Sequence, residues 1–123
     1  MSLHESAEMY LETIYVLTSE LGNVRSIDVA EHMGYSKPSV SRAVGILKKS
    51  GLLLMEKDGS LTLTDDGRNM AKKIFERHTT LTEFLKRIGV SEETASDDAC
   101  KIEHVISDET ISAMKNFIDG EEQ

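Results

Sequence analysis

Hydrophobic residues recur with a helical period at the start of the chain. The first such stretch covers residues 4–21 and stops before Gly22, a residue that readily ends a helix. Its apolar positions are Tyr10, Leu11, Ile14, Leu17 and Leu21. Because residues three and four apart share one helical face, this spacing predicts an amphipathic first helix.

Two shorter helices joined by a tight turn are predicted next. Ser26 is a candidate amino-terminal cap for the first of them, and Gly34 provides the turn. Ser36 is the corresponding cap of the second helix, which ends at Gly51 and tolerates Pro38 in its first turn. The positions that would face the interior are Val29, Met33, Val40, Val44 and Leu47. This order of elements is typical of a helix-turn-helix.

A β-hairpin is predicted directly after this motif. The segment LLLMEKDGSLTLT contains two β-forming runs that flank Asp58 and Gly59. An Asp-Gly pair favours the positive backbone angles of a tight hairpin turn. The hairpin would form the wing of a winged helix-turn-helix domain.

Three further helices are predicted in the second half of the chain. Thr64 would cap a long helix over residues 65–88. Ser91 would cap a helix that extends to Ile106, and Ser107 would cap the last one. The protein is therefore expected to be mostly α-helical.

The charge of the chain is unevenly distributed. Its formal net charge of −8 argues against a nucleic-acid partner, because phosphate binding depends on clustered lysine and arginine. Between Arg25 and Lys57, however, six basic residues accompany three acidic ones, a local balance of +3. From Asp65 onward, eight basic residues accompany fourteen acidic ones, a balance of −6. The positive surplus thus coincides with the predicted helix-turn-helix.

The second helix of this motif carries residue types suited to a DNA groove. Arg42 can donate two hydrogen bonds to a guanine edge, while serine and lysine side chains near the amino terminus suit phosphates. Helix-turn-helix geometry also occurs in proteins that never contact DNA, so this interpretation depends on motif, wing and local charge together. The predicted DNA-contacting residues are Ser36, Lys37, Pro38, Ser39, Ser41, Arg42 and Lys48.

The segment CKIEH, residues 100–104, contains the only cysteine of the chain. On a helix, Cys100, Glu103 and His104 would project from one face, and thiolate, carboxylate and imidazole together suit a borderline divalent transition ion. Further ligands would be needed, and each candidate also has an ordinary role as a core or surface residue. For this segment alone, the more common interpretation is that Cys100 is a small buried hydrophobic residue and that Glu103 and His104 form a surface pair. The candidates for further ligands are Met9, Glu12 and His78.

Four segments together resemble the diphtheria toxin repressor and manganese transport regulator family of metal-dependent repressors. They are SAEMYLETIYVL, VAEHMGYSKPSVSRAVGILKKSGLL, LTLTDDGR and DDACKIEHVISDET, and they cover nearly the whole chain in order. The resemblance implies a winged helix-turn-helix DNA-binding domain in residues 1–64. It also implies an all-helical dimerisation and metal-binding domain in residues 65–123.

The resemblance also implies particular ligands. It assigns His78 to a second metal site, and Glu12 stands at a position that is a ligand in the manganese branch. Thr82 and Ser96 stand where relatives can have a carboxylate and a histidine, which leaves the completeness of that second site open. The primary site implied by the resemblance consists of Met9, Cys100, Glu103 and His104.

The function implied by the resemblance is repression of metal-ion homeostasis genes by a homodimer that binds a double-stranded DNA operator. A divalent transition metal would activate it. The thioether of Met9 and the thiolate of Cys100 favour Fe²⁺, whereas Glu12 and the two-domain length point to Mn²⁺ as the next candidate. Zn²⁺, Co²⁺ and Ni²⁺ are further ions that could bind in vitro.

Three other classes of function are compatible with parts of the sequence. The main alternative is a winged-helix repressor that senses oxidation or a small molecule through Cys100, and a winged helix that binds only proteins is another. An enzyme with Cys100 as nucleophile is disfavoured, because one helix face provides neither a pocket nor oxyanion donors. With no apolar run near about 18 residues and no secretory signal pattern, we expect no membrane segment and a cytoplasmic location. A non-enzymatic DNA-binding protein is also expected to have no small-molecule substrate.

Overall fold

The computed structural model describes residues 5–121. Within that range the chain forms six helices and one three-stranded sheet, in two compact units whose boundary falls between Lys72 and Lys73. The predicted mostly α-helical class with a winged helix-turn-helix is confirmed. The helices are α1 (Glu5–Leu21), α2 (Ser26–Met33), α3 (Lys37–Lys49), α4 (Asp65–Arg87), α5 (Glu92–Ile102) and α6 (Asp108–Glu121), and the strands are β1 (Val24–Arg25), β2 (Leu53–Met55) and β3 (Ser60–Leu63).

The first three helices build the core of the first unit. Their apolar faces converge as the hydrophobic spacing predicts, and burying one such aliphatic side chain contributes about 1.5–3 kcal/mol. Two of the predicted apolar positions differ, since Met33 is only half-buried at the end of α2 and Leu21 is 55% exposed at the end of α1. The side chains without solvent exposure include Leu11, Ile14, Val29, Val40 and Leu47.

The start of α2 differs from the prediction by one residue. Arg25, rather than Ser26, is the amino-terminal cap, and its backbone N–H donates to the Asp28 carboxylate at 2.9 Å. Because this carboxylate satisfies the backbone before Ser26, the helix begins at Ser26 itself. The cap of α3 is confirmed, since Ser36 Oγ accepts from the backbone N–H of Ser39 at 3.3 Å.

The wing forms as an antiparallel sheet in the order β1-β3-β2. Gly59 has a φ of 89°, the positive angle expected for the Asp58-Gly59 turn. The turn is held by the Ser60 backbone N–H, which donates to Asp58 Oδ1 at 3.0 Å. Strand β1 was not predicted, because a two-residue strand has no alternation to detect; it pairs Val24 with Leu61 of β3.

The beginning of α4 lies against the backbone that leads into the wing. Thr64 Oγ1 accepts from the Gly67 backbone N–H at 3.0 Å and donates to the carbonyl of Gly51 at 2.8 Å. A side chain at Gly67 would meet the carbonyl oxygen of Leu52 at 2.0 Å. Glycine is therefore required at this position for close approach of the backbone.

Between Lys73 and Glu121, the regular secondary structure of the second unit is α-helical, and short connections join the helices. Ser91 and Ser107 cap α5 and α6 as predicted, by accepting hydrogen bonds from the backbone N–H groups three residues later. Helix α5 ends at Ile102 and does not extend to Ile106 as predicted, because the N–H groups of Val105 and Ile106 both turn back to the Ile102 carbonyl at 3.0 Å. No helix between residues 5 and 121 is long and apolar enough to cross a membrane.

Candidate metal centre and nucleic-acid interface

Helices α4 and α5 bring three potential metal ligands together within the second unit. The Nδ1 atom of His78 lies 2.9 Å from Oε2 of Glu103 and 3.7 Å from Sγ of Cys100. The donor atoms of all three residues lie within 4.8 Å of one another. His78 is a candidate further ligand for the CKIEH segment by residue type and a second-site ligand by the resemblance, and the structure places it beside Cys100 and Glu103.

Helical spacing explains why His78 faces inward on α4. Ile74, four residues before it, and Leu81, three residues after it, are both buried. Residues at these intervals lie on one side of a helix, so His78 shares the buried side of α4.

The same rule places Glu103 at the end of α5. Ala95 and Ala99 are fully buried, and Glu103 continues their four-residue spacing. Glu103 caps the helix with φ −58° and ψ −23°, so it keeps the helical direction one residue past Ile102. Its side chain is 0% exposed, whereas the neighbouring Cys100 is exposed.

The buried carboxylate of Glu103 is the main electrostatic feature of the site. One oxygen contacts His78, and the other, Oε1, lies 3.3 Å from Nε2 of His104. Within residues 5–121, Oε1 has no hydrogen-bond donor. Burying a carboxylate is unfavourable unless positive charge or hydrogen bonds compensate it. A thiol, a carboxylate and the His78 imidazole that face one another in this way fit a divalent transition ion of borderline softness.

The other ring nitrogen of His78 faces a second region. Its Nε2 lies 3.5 Å from the hydroxyl of Ser96, beside a cavity of about 700 Å³ that is also lined by acidic side chains. Thr82, also at this cavity, donates its hydroxyl hydrogen to the backbone carbonyl of His78 at 2.8 Å. Ser96 and Thr82, which differ from the family pattern, thus place hydroxyl groups beside this cavity. The hydroxyl of Thr82 is already hydrogen-bonded to the backbone of α4.

Met9 and Glu12 belong to α1 in the first unit. They stand three residues apart on the helix and both are half-buried. The backbone carbonyl of Met9 accepts a hydrogen bond from the Thr13 hydroxyl at 2.9 Å, as is common within helices. Their predicted role as additional ligands stays a prediction.

Most of the predicted DNA-contacting side chains of α3 are accessible. Ser39 is the exception, since it is half-buried and its hydroxyl accepts a hydrogen bond from that of Ser36 at 3.0 Å. The hydroxyls of Ser36 and Ser39 therefore take part in the cap of α3 in this structure. The exposed members of the predicted set are Ser36, Lys37, Pro38, Ser41, Arg42 and Lys48.

Tyr35 is a further exposed residue at this surface that the sequence analysis did not identify. It lies in the turn before α3, is 48% exposed, and packs its ring against that of Tyr10, with centroids 5.9 Å apart. Burial raises the pKa of Tyr10, so its phenol stays neutral near pH 7. The sequence feature that could have identified Tyr35 is its position as a bulky aromatic residue between Gly34 of the turn and Ser36, the cap of α3.

Comparison with known proteins relates both halves of the chain to one family. Residues 2–61 match the family described as "Iron dependent repressor, N-terminal DNA binding domain". Residues 64–122 match "Iron dependent repressor, metal binding and dimerisation domain". The HTH-type transcriptional regulator MntR of Lysinibacillus sphaericus is 37% identical over 113 residues, which cover 92% of this chain and 81% of that relative.

Solved structures have the same fold. The manganese regulator SloR superimposes with a TM-score of 0.82 and 27% identity over 97% of this chain and 55% of the SloR chain. A manganese-dependent transcriptional repressor in complex with manganese gives a TM-score of 0.81 and 29% identity over 92% of this chain and 52% of that chain. The chain thus spans about half the length of these two solved relatives.

Proposed function

The chain belongs to the iron-dependent repressor family of metal-dependent transcriptional regulators, and we propose that it represses metal-ion homeostasis genes when a divalent ion is bound. The family resemblance noted in the sequence is thereby confirmed. The alternative of a repressor that senses oxidation or a small molecule through Cys100 has no support from these relatives.

One observation carries the metal-binding part of the proposal. The fully buried Glu103 carboxylate faces His78 and lies close to Cys100. A divalent cation at this point would offset the unfavourable burial of the carboxylate and would be held by nitrogen, oxygen and sulfur donors together. We propose His78, Cys100 and Glu103 as ligands on this basis. We propose His104 as a further ligand because its Nε2 lies 3.3 Å from the other oxygen of Glu103. Met9 and Glu12 are kept as additional candidates on their residue types and the family resemblance alone.

Fe²⁺ and Mn²⁺ are the two ions to compare. Cysteine thiolate is a softer ligand than Mn²⁺ usually takes, which favours Fe²⁺ for a site that contains Cys100. SloR, in contrast, is a manganese regulator, and the other solved relative is a manganese-dependent repressor in complex with manganese. We propose Fe²⁺ as the first candidate and Mn²⁺ as the second.

The proposed partner is a double-stranded DNA operator bound by a homodimer. The exposed face of α3 with Arg42 and Lys48 supplies a recognition helix, and the second half of the chain matches a family described as a dimerisation domain. If the metal-bound dimer is the form that fits two half-sites, metal and operator each increase the affinity for the other. The relatives are transcriptional regulators, so we propose a non-enzymatic protein that acts in the cytoplasm.

Operator binding as a function of metal tests this proposal. The protein is stripped of metal and titrated anaerobically with Fe²⁺, Mn²⁺ or Zn²⁺, while fluorescence anisotropy follows a labelled duplex from the region upstream of its own gene. Glu103→Gln removes the buried charge, and Glu109→Gln at an exposed position of α6 is the matched control. We expect metal-dependent binding that Glu103→Gln abolishes and Glu109→Gln retains. Binding that is unchanged by every ion would overturn the proposal.

A further inference from the structure

Arg77 precedes His78 on α4 and contacts the ends of both other helices of the second unit. Its Nη1–H donates to the backbone carbonyl of Glu103 at 3.2 Å. Its Nη2–H donates to the carboxylate of Asp108, the first residue of α6. We propose that Arg77 is a positioning residue, which holds the backbone of Glu103 so that the carboxylate points at the metal site. This inference rests on the proposed function.

The position of Glu103 in the chain explains why it needs such support. Helix α5 ends at Ile102, and residues 103–107 form the connection to α6. The carbonyl groups at the carboxy-terminal end of a helix have no N–H partner within the helix. The carbonyl of Glu103, the carboxy-terminal cap of α5, is one of these groups. Arg77 supplies the hydrogen bond that the helix cannot. Fixing this carbonyl restricts the rotation of the Glu103 backbone and therefore the direction of its side chain.

The geometry of the contact requires arginine rather than a cation in general. A guanidinium is planar and can donate to two acceptors at once in a fixed arrangement. Arg77 uses this to join a carbonyl and a carboxylate that are five residues apart, across the whole connection between α5 and α6. Its Nε–H is buried without a hydrogen-bond acceptor among the described residues, and the hydrogen bonds to Glu103 and Asp108 are therefore those of the Nη groups.

Lys73 provides a matched comparison for Arg77. Its Nζ donates to the other side of the Asp108 carboxylate at 3.2 Å. The Lys73 side chain is 60% exposed, whereas that of Arg77 is 17% exposed. The two residues thus share Asp108 and its charge, but within the described residues only Arg77 is seen to bond the Glu103 backbone. If Arg77 acted only through its charge, replacing Arg77 or Lys73 would change metal affinity equally. If Arg77 positions Glu103, only its replacement would weaken metal binding.

The test measures Co²⁺ affinity of the full chain from the absorption of the bound ion, for wild type, Arg77→Ala, Arg77→Lys and Lys73→Ala. Loss of a group that orients a metal ligand typically weakens binding about 10–100-fold. We expect a loss of that size for Arg77→Ala, a smaller one for Arg77→Lys, and wild-type affinity for Lys73→Ala. The inference is overturned if Arg77→Ala and Arg77→Lys bind within about twofold of wild type, or if Lys73→Ala loses as much as Arg77→Ala.

Hydrogen exchange of the metal-free proteins supplies a readout that does not depend on metal. The backbone N–H groups of Glu103, Val105 and Ile106 bond the carbonyls of Ala99 and Ile102. We expect these amides to exchange faster in the Arg77 variants, with the amides of α4 unchanged. Uniformly faster exchange across the second unit would indicate general destabilisation and would contradict a positioning role. If wild type binds no Co²⁺, Fe²⁺ or Mn²⁺, the proposed function fails, while exchange still reports whether Arg77 orders residues 103–107.

Discussion

The imidazole Nδ1 of His78 and the carboxylate Oε2 of Glu103 lie 2.9 Å apart, although the two residues are separated by 25 positions in the chain. This contact connects the middle of α4 to the end of α5. It joins a buried acidic group to a base that can accept or donate a proton. The stability of the metal-free protein and the affinity for metal are therefore expected to depend on the same pair.

Replacement of Glu103 separates these two effects. Glu103→Ala leaves a cavity at a fully buried position and removes the hydrogen-bond partner of His78, so it is expected to lower the free energy of unfolding of the metal-free protein by about 3 kcal/mol. Glu103→Gln should lower it much less, because the amide keeps the shape and a hydrogen-bond acceptor for His78. Urea unfolding followed by circular dichroism measures both. Equal stability of Glu103→Ala and wild type would show that the pair is not formed in solution.

Two glycines allow a paired test of the first unit. A methyl group at Gly67 would lie 2.0 Å from the Leu52 carbonyl oxygen, whereas one at Gly45 in α3 has no atom within 4 Å. We expect Gly67→Ala to destabilise the protein by about 2–4 kcal/mol, because the backbone segments must separate. Gly45→Ala should instead stabilise it by about 0.5–1 kcal/mol, because alanine favours a helix interior. Thermal unfolding measures both variants. A change of the melting temperature in the same direction for both would contradict this prediction.

Arg42 and Lys48 are expected to contribute to DNA binding in different ways. Both are exposed on α3. If Arg42 reads a base, Arg42→Ala costs about 1–3 kcal/mol on the operator and reduces discrimination at one base pair. If Lys48 contacts a phosphate, Lys48→Ala weakens all sequences alike and lowers the salt dependence by about one unit. Anisotropy titrations with single-base operator variants at several salt concentrations distinguish the two roles, and identical behaviour of both variants would refute them.

The wing is expected to lose stability in acid through Asp58. Hydrogen bonds from the side chain and backbone of Ser60, with Arg25 nearby, hold the pKa of Asp58 below its ordinary value of 3.8. A carboxyl group whose pKa is lowered by folding stabilises the protein above that ordinary value, and this contribution disappears as the pH falls through the folded pKa. Wild type should therefore be more stable than Asp58→Asn near neutral pH, and the difference should vanish in strong acid. Urea unfolding of both proteins across the acid range measures it, and a difference independent of pH would argue against this role.

The donor set of the candidate site was only partly accessible to sequence reasoning. The spacing of Cys100 and Glu103 identified them as neighbours, because one helical turn separates them. Nothing in the spacing linked them to His78, which reaches them from α4, and the adjacent Arg77 carried no local signal for its contact with the Glu103 carbonyl. The end of α5 at Ile102 was also missed, since the turn after it depends on how the chain continues into α6.

The sequence by itself determined the elements whose causes lie within a few residues. The serine caps at Ser36, Ser91 and Ser107, the Asp58-Gly59 turn and the apolar faces of the first three helices all depend on neighbours one turn away or less. Tertiary structure alone decided that the donor atoms of His78, Cys100 and Glu103 lie close together and that Arg77 bonds the Glu103 carbonyl. The physical reason is that such contacts join residues on different helices, and their distances depend on how the buried faces of those helices pack.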